Sequence, residues 1–277
     1  MFKFSVLMSV YKNEKPEYLK QAIESIVNQT LLPNEIVIVK DGLLTYDLDK
    51  VIEAYQTSYK DLFKIVAFNK NRGLGLALRD GVLACSHEYI ARMDSDDVCK
   101  LIRFERQIEY LENNREIALL GTCIEEFNSD VDKPDRILLL PQKHEAIVDF
   151  AKSRNPFKHN TVIFKKSAVL KSGNYRHFRW FEDYDLWVRM IRNGFKVSNL
   201  PAVLVSTRMD DAVFSRRGGL NYLKWEWKFQ LFLLEIDYIG LCQFFKNLII
   251  RTIVRLLPNR LRSKFYRCFL RRGVNNA

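Results

Sequence analysis

Three aspartates lie within four residues, directly after a short apolar segment. The segment is 89–93, and the acids are Asp94, Asp96 and Asp97. Like charges this close repel one another, and keeping several of them ionised without a counterion costs free energy. A divalent cation would relieve the repulsion, because Mg²⁺ and Mn²⁺ prefer carboxylate oxygens and can share their coordination shell with phosphate groups. The alternative is an acidic loop in which Asp97 caps the following helix.

A second acidic cluster occurs much further along the chain, at Glu182, Asp183 and Asp185. The apolar residues that follow recur at helical spacing, so these acids should lie at the N-terminus of a helix, where backbone N–H groups favour negative charge. A carboxylate held there can act as a general base. The alternative is an ordinary acidic helix start without a function. Two such clusters together favour a metal site in the first and a base in the second.

Apolar segments alternate with amphipathic ones through the first half of the chain, and this alternation must position the acids. Strands are predicted at 3–10, 35–39, 63–68, 89–93 and 118–127, and helices at 16–27, 48–55, 74–84 and 101–111. This order predicts an α/β fold with a mostly parallel central sheet flanked by helices. Ligands of such sheets bind beyond the carboxyl ends of the strands, which is where residues 94–97 should lie.

The segments after the other strands narrow the class of ligand. The first strand is followed by 11–14 (YKNE), which has no glycine and therefore argues against a dinucleotide-binding enzyme. Asp41 and Gly42 follow the second strand. The third is followed by 69–75 (NKNRGLG), a predicted turn into a helix N-terminus that could hold an anion.

The positive charge of the chain is concentrated in its last part. The net charge is +11, of which residues 216–277 carry +10, from thirteen basic and three acidic residues. No uninterrupted apolar run is long enough to span a membrane. Basic and apolar side chains of 259–272 fall on opposite helical faces, which predicts an amphipathic helix on an anionic membrane surface. We expect membrane contact through 241–272; the alternative is a helix that packs on its own domain.

Five segments in order resemble family 2 glycosyltransferases. They are 5–14 (SVLMSVYKNE), 35–42 (EIVIVKDG), 71–73 (NRG), 93–97 (MDSDD) and 182–187 (EDYDLW), and the resemblance covers roughly residues 4–207. The sequence is most similar to bacterial members that build O-antigen, capsule and exopolysaccharide, including the amylovoran type. The resemblance implies a GT-A fold, a nucleotide-diphosphate sugar donor and a divalent metal, Mn²⁺ or Mg²⁺.

The resemblance also assigns roles to the acids of the first half. Asp41 matches the acid that contacts the nucleotide base, usually uracil, and Lys40 stands where the family often has another acid. Asp94 and Asp96 match the D-x-D motif, with Asp94 near the ribose and Asp96 on the metal that bridges the diphosphate; both are candidate metal ligands.

In the second half, Asp183 matches the catalytic base, with Glu182 beside it. Arg72, Arg216 and Arg217 are candidate contacts of the nucleotide-sugar diphosphate, because the arginine fork matches phosphate oxygens. The alternative for each of these arginines is plain surface charge.

We therefore expect an inverting glycosyltransferase at the cytoplasmic face of the bacterial inner membrane. It would transfer galactose, glucose or an N-acetylhexosamine from a UDP-sugar to a polyprenyl-diphosphate-linked glycan and form a β-glycosidic bond. The predicted domains are a catalytic domain, 1–215, and a basic helical tail, 216–277. Within the catalytic domain, 1–125 binds the nucleotide sugar and 126–215 carries the acceptor side and the base.

Two other functions are weaker candidates. A sugar-nucleotide pyrophosphorylase should have a glycine-rich basic loop directly after the first strand, where this chain has 11–14 (YKNE). A nucleic-acid-binding protein is suggested only by the basic tail; no known module is recognisable, and two acidic clusters would repel nucleic acid.

Overall fold

Strands and helices alternate along the chain in the computed structural model, which describes residues 2–209 and 218–257. The strands are β1 (Phe4–Val10), β2 (Glu35–Lys40), β3 (Phe63–Ala67), β4 (Tyr89–Asp94), β5 (Val98–Cys99), β6 (Ile117–Phe127), β7 (Arg136–Leu138), β8 (Ile163–Lys165) and β9 (Lys196–Arg208). The helices are α1 (Pro16–Val27), α2 (Tyr46–Ser58), α3 (Leu74–Ala84), α4 (Arg103–Asn113), α5 (His144–Phe150), α6 (Lys166–Lys171), α7 (Glu182–Arg192), α8 (Gly219–Glu235) and α9 (Leu241–Leu256). A 3-10 turn covers His159–Thr161.

The strands described form one sheet in the order β3-β2-β1-β4-β8-β6-β9-β5, with β7 paired to β6. Neighbours among β3, β2, β1 and β4 are parallel, as are β6 and β9. Every antiparallel pairing involves one of the short strands β5, β7 and β8. The prediction of an α/β fold with a mostly parallel sheet is confirmed, and the carboxyl ends of β1, β2 and β4 meet at one edge.

The last strand returns the chain to that edge. β9 runs parallel to β6 along its whole length and ends with Arg208 opposite Phe127. Near its end, β9 also pairs with β5, where Ser206 lies opposite Val98. Because β5 follows the acidic segment 94–97 directly, the end of β9 lies beside those acids.

Two hydrophobic cores cover the two faces of the sheet. Alternate residues of β1 show the division, since Val6 and Met8 enter one core and Leu7 the other, as the two-residue period of a strand requires. The first core is formed with α1, α2 and α4. The second, here called the α7 core, is formed with α3, α5, α6, α7, α8 and α9. Trp187 of α7 is fully buried there, in contact with the ring of Phe157 at a centroid distance of 6.0 Å.

The two C-terminal helices complete the α7 core. Phe229 of α8 is fully buried, and its ring stacks on Phe181 at 5.0 Å, directly before α7. Glu226 of α8 is also buried and pairs with Arg255 of α9 at 2.7 Å and with Arg251. The predicted catalytic domain therefore shares a core with residues of the predicted tail, and the boundary between them at 215 stays a prediction.

The outer side of α9 is apolar and exposed. It presents residues at intervals of three and four: Leu241, Phe245, Ile249, Ile253 and Leu256. Trp227 and Leu231 of α8 are exposed as well. Among the described residues, no helix is both long enough and apolar enough to cross a bilayer. The helix predicted at 259–272 lies outside the described residues.

Glu226→Gln should destabilise the fold, because the buried Arg255 and the partly buried Arg251 lose their counter-charge. We expect the free energy of unfolding, measured by urea denaturation, to fall by about 3 kcal/mol. Glu235→Gln on the same helix is the matched control, since Glu235 is exposed, and its effect should stay within about 0.5 kcal/mol. Equal effects of the two substitutions would contradict a structural role for the Glu226 ion pairs.

Candidate active site

The three acids after β4 lie close together, as the sequence predicts. Asp94, Asp96 and Asp97 each offer a carboxylate oxygen, and these oxygens lie within 4.8 Å of one another. The side chain of Asp97 is buried and already bound: its oxygens accept from the backbone N–H of Arg208 at 2.7 Å and from the side-chain amide of Asn160. Asp97 does not cap α4, as the alternative expectation had it, because the N-cap of that helix is Ile102.

Asp94 and Asp96 are the carboxylates of this cluster that could bind a cation. Asp94 forms an ion pair with Arg92, whose side chain is only 1% exposed. The pKa of Asp96 is raised to about 7, first by burial and then by the negative charges of Asp94 and Glu14. A divalent cation would reverse this shift. The donors therefore fit a metal, with Asp96 and Asp94 as the candidate ligands, whereas both oxygens of Asp97 already accept hydrogen bonds.

Arg208 at the end of β9 is a site residue that the sequence analysis missed. Its guanidinium donates to the backbone oxygen of Asp96 at 3.1 Å and to Gln21 at 2.5 Å, and it lies 3.8 Å from the ring centroid of Tyr18. Together with its backbone bond to Asp97, these contacts join the acidic segment to α1 and β9. The signal in the sequence was a single arginine at the end of the segment that forms β9.

Asp41 binds the loop that leads into α3. One carboxylate oxygen accepts from the backbone N–H of Arg72 at 2.7 Å, and the other accepts from Gly73 N–H and the Asn71 amide, both at 3.0 Å. Gly42 has a positive φ of 93°, and a Cβ there would lie 2.7 Å from Asn71 N. Asp41 and Gly42 thus fix residues 71–73, and the nucleotide-base contact of Asp41 stays a prediction.

Of the three arginines predicted to contact the diphosphate, Arg72 lies in the described part of the chain. The side chain of Arg72 bonds Asp80 of α3 at 2.8 Å and lies over the ring of Phe68, so it is held near the acidic edge of the sheet. Lys40, in place of a second acid, pairs with Asp49 of α2 at 2.5 Å. Arg216 and Arg217 lie outside the described residues.

Glu182 and Asp183 form the first turn of α7, as predicted. One oxygen of Asp183 accepts from the side-chain amide of Asn155 at 2.6 Å, and the other from the backbone N–H of Tyr184 at 2.7 Å. Burial raises the pKa of both acids, and for Glu182 the charge of Asp183 raises it further, to about 8. The hydrogen bonds of Asp183 oppose the effect of burial on its own carboxyl.

The two acidic clusters face one region of the protein. A Cβ on Gly75, in the first turn of α3, would lie 3.2 Å from Glu182 Cβ, so α3 and α7 begin side by side. The negative charge of Asp94 contributes to the raised pKa of Glu182, and the positive charge of Arg92 lowers it. The two clusters therefore interact electrostatically.

Comparison with known proteins agrees with this geometry. The model of the family described as glycosyl transferase family 2 matches residues 5–171. The chain is 40% identical over 265 residues to the amylovoran biosynthesis glycosyltransferase AmsE of Erwinia amylovora, covering 95% of this chain and 97% of AmsE. It is 36% identical over 270 residues to the UDP-Gal:alpha-D-GlcNAc-diphosphoundecaprenol beta-1,3-galactosyltransferase of Escherichia coli, covering 98% and 97%.

A solved structure shows the same fold. The crystal structure of S. aureus TarS 1-349 in complex with UDP-GlcNAc superposes with a TM-score of 0.66 at 15% identity, covering 97% of this chain and 76% of that chain. The architecture is accordingly the GT-A fold that the sequence predicts. One family assignment follows from the matched family model, from the two relatives that align along nearly their whole length and from the positions of the acids. The chain belongs to glycosyl transferase family 2.

Proposed function

We propose that the protein is an inverting glycosyltransferase that transfers a hexose from a UDP-sugar to a polyprenyl-diphosphate-linked glycan, in the synthesis of a surface polysaccharide. The observation that carries the proposal is the pairing of two acidic groups: Asp94 and Asp96 lie close together after β4, and Asp94 interacts electrostatically with Glu182, the neighbour of the hydrogen-bonded Asp183. The Escherichia coli relative, named for UDP-Gal and a diphosphoundecaprenol acceptor, supports galactose as the first donor to test; glucose and N-acetylhexosamine are the others. Family membership argues against the pyrophosphorylase and nucleic-acid-binding alternatives.

The donor side requires positive charge near the diphosphate. A divalent cation, Mn²⁺ or Mg²⁺, when bound, stabilises the negative charge that develops on the departing nucleoside diphosphate. Asp96 and Asp94 would hold the ion. Arg72, and Arg216 and Arg217 beyond the described part of the chain, are the proposed arginine contacts of the diphosphate.

On the acceptor side, Asp183 takes the proton of the attacking hydroxyl. A hydroxyl group is a poor nucleophile at neutral pH, so a carboxylate must accept its proton as the new bond forms. The pKa of Glu182 is raised to about 8 by burial and by Asp183, which keeps Glu182 largely protonated near pH 7. Asp183 accepts two hydrogen bonds that favour its ionised form. Attack opposite the leaving group inverts the anomeric centre and gives a β-glycoside from an α-linked donor.

The exposed face of α9 suits a lipid surface. Its apolar side chains would insert between lipid headgroups, while basic residues of the segment 241–272 would be attracted to anionic lipid. We propose peripheral attachment at the cytoplasmic face of the inner membrane, where a lipid-linked acceptor would be within reach.

Transfer should depend on Mn²⁺ or Mg²⁺. After exhaustive EDTA treatment we expect sugar transfer from UDP-Gal to a synthetic lipid-diphosphate sugar to stop, and added metal to restore it. Asp96→Ala should lose metal-dependent UDP binding, measured by calorimetry, as well as turnover. Asp61→Ala, at an exposed position, is the control and should behave as wild type. Full turnover without metal would overturn the role of Asp96.

Asp183→Asn should reduce turnover by about 10²-fold or more with little change in UDP-sugar binding, because an amide has the same size but cannot accept the proton. In wild type, kcat should fall as the pH drops through the pKa of Asp183, which burial raises, since only the ionised carboxylate acts as a base. This acidic limb should disappear from the residual activity of Asp183→Asn. Matching losses of rate and donor affinity would make Asp183 a structural residue.

The intact protein should sediment with anionic liposomes, less at high salt, and poorly with neutral liposomes. Each basic residue near the surface contributes about 1 kcal/mol, and apolar insertion adds a part that salt does not remove. The double variant Phe245→Ser and Ile249→Ser should weaken sedimentation, and so should removal of 259–277, without loss of donor hydrolysis. Leu139→Ser, at an exposed position distant in sequence, is the control. Intact protein that ignores anionic liposomes would refute the proposal.

A further inference from the structure

Asn155 connects the segment after α5 to the candidate base. Its side-chain N–H group donates to Asp183 at 2.6 Å, and its side-chain oxygen accepts from the backbone N–H of Phe157 at 3.2 Å. A backbone N–H can only donate, so the amide oxygen must face Phe157 and the NH₂ group must face Asp183. The orientation of the Asn155 amide is therefore determined by its surroundings.

The backbone on both sides of Asn155 is anchored. On one side, Asn247 of α9 donates to the carbonyl of Lys152 at 2.8 Å, and Arg251 donates to the next carbonyl, that of Ser153. On the other side, the carbonyl of Pro156 accepts from Asn199 of β9 at 3.1 Å. Contacts from α9 and β9 therefore fix the backbone on both sides of Asn155.

Both acids receive backbone hydrogen bonds, and the side-chain hydrogen bond from Asn155 distinguishes the environment of Asp183 from that of Glu182. Burial raises the pKa of Asp183, and the hydrogen bonds from Tyr184 and Asn155 lower it, followed by the positive charge of Arg92. Glu182, the other acid beside Asp183, has its pKa raised by burial and by the charge of Asp183, while a backbone hydrogen bond and the charge of Arg92 lower it. The hydroxyl of Tyr175 also interacts electrostatically with both acids. The side-chain donor of Asn155 is aimed at Asp183, so it favours ionisation of that acid over its neighbour.

We propose that Asn155 is the positioning residue of the catalytic base: it holds the Asp183 carboxylate in one orientation and in its ionised form, so that Asp183 and not Glu182 takes the acceptor proton. The inference rests on the proposed glycosyl transfer. In that step the acceptor oxygen forms its bond to the anomeric carbon, its proton passes to Asp183, and the bond to the nucleoside diphosphate breaks with its electron pair. Asn155 neither gains nor loses a proton.

Asn155→Asp tests this with almost no change in shape. The new side chain can still accept from Phe157 N–H, but it places an oxygen against the Asp183 carboxylate where an N–H stood. The pKa of Asp183 should rise, so the acidic limb of the kcat profile should move up by about one pH unit or more. Near pH 7 we expect a loss of about tenfold in kcat that largely recovers at high pH, with the KM for UDP-sugar unchanged.

Asn155→Ala removes the donor without adding charge, so it should move the limb in the same direction by a smaller amount. It also provides the test if Asn155→Asp does not fold, as judged by its thermal melt. Asn113→Asp, an exposed asparagine at the end of α4, makes the same chemical change elsewhere and should leave the profile unmoved. A purely structural role for Asn155 would lower kcat equally at every pH, and that result would overturn the proposal.

Failure of this inference can be told from failure of the proposed function. If the acidic limb persists in Asp183→Asn, Asp183 is not the base and the proposed mechanism is wrong. If the limb disappears in Asp183→Asn but stays in place in folded Asn155→Asp and Asn155→Ala, the mechanism stands and the role of Asn155 is refuted.

Discussion

The guanidinium of Arg92 lies buried beneath the acids, and the charge balance of the site depends on it. Arg92 and Asp94 are two residues apart on β4, so their side chains point to the same face of the sheet, where they form an ion pair. The charge of Arg92 also lowers the pKa of Asp96, Glu182 and Asp183 against the effect of burial. Collecting these carboxylates in one half-buried site would cost much more free energy without a fixed cation among them.

Local sequence patterns predicted the positions of the acids better than their partners. Asp94, Asp96, Glu182 and Asp183 were found because each cluster joins a strand end or helix start to a run of apolar residues. The contact between Asp97 and Arg208 spans 111 residues and exists only because β9 returns to pair with β5. No periodicity in either segment encodes that return, so composition and spacing could not have supplied it.

The count of charges along the sequence revealed the basic tail but not which of its charged side chains are buried. The basic tail was visible as a net charge of +10. However, Glu226, one of its three acids, is fully buried and pairs with two of its arginines, so those charges do not face solvent equally. Phe229 similarly belongs to the interior although it lies in the predicted tail. A helix that is apolar on most of its circumference does not reveal in sequence which side packs against protein.

The anchoring of residues 152–156 by α9 has a geometric consequence. Residues 152–155 connect Asn247 to Asp183. Asn247 donates to the carbonyl of Lys152 at one end of this segment, and Asn155 donates to Asp183 at the other. If the outer face of α9 rests on a bilayer, the reacting hydroxyl must therefore meet the enzyme at a set height above the lipid. The enzyme would then select its acceptor by the height of the sugar above the bilayer as well as by the chemistry of the sugar. A sugar would be accepted at one step of a growing glycan, and the same sugar would not react when it lies further from its lipid anchor.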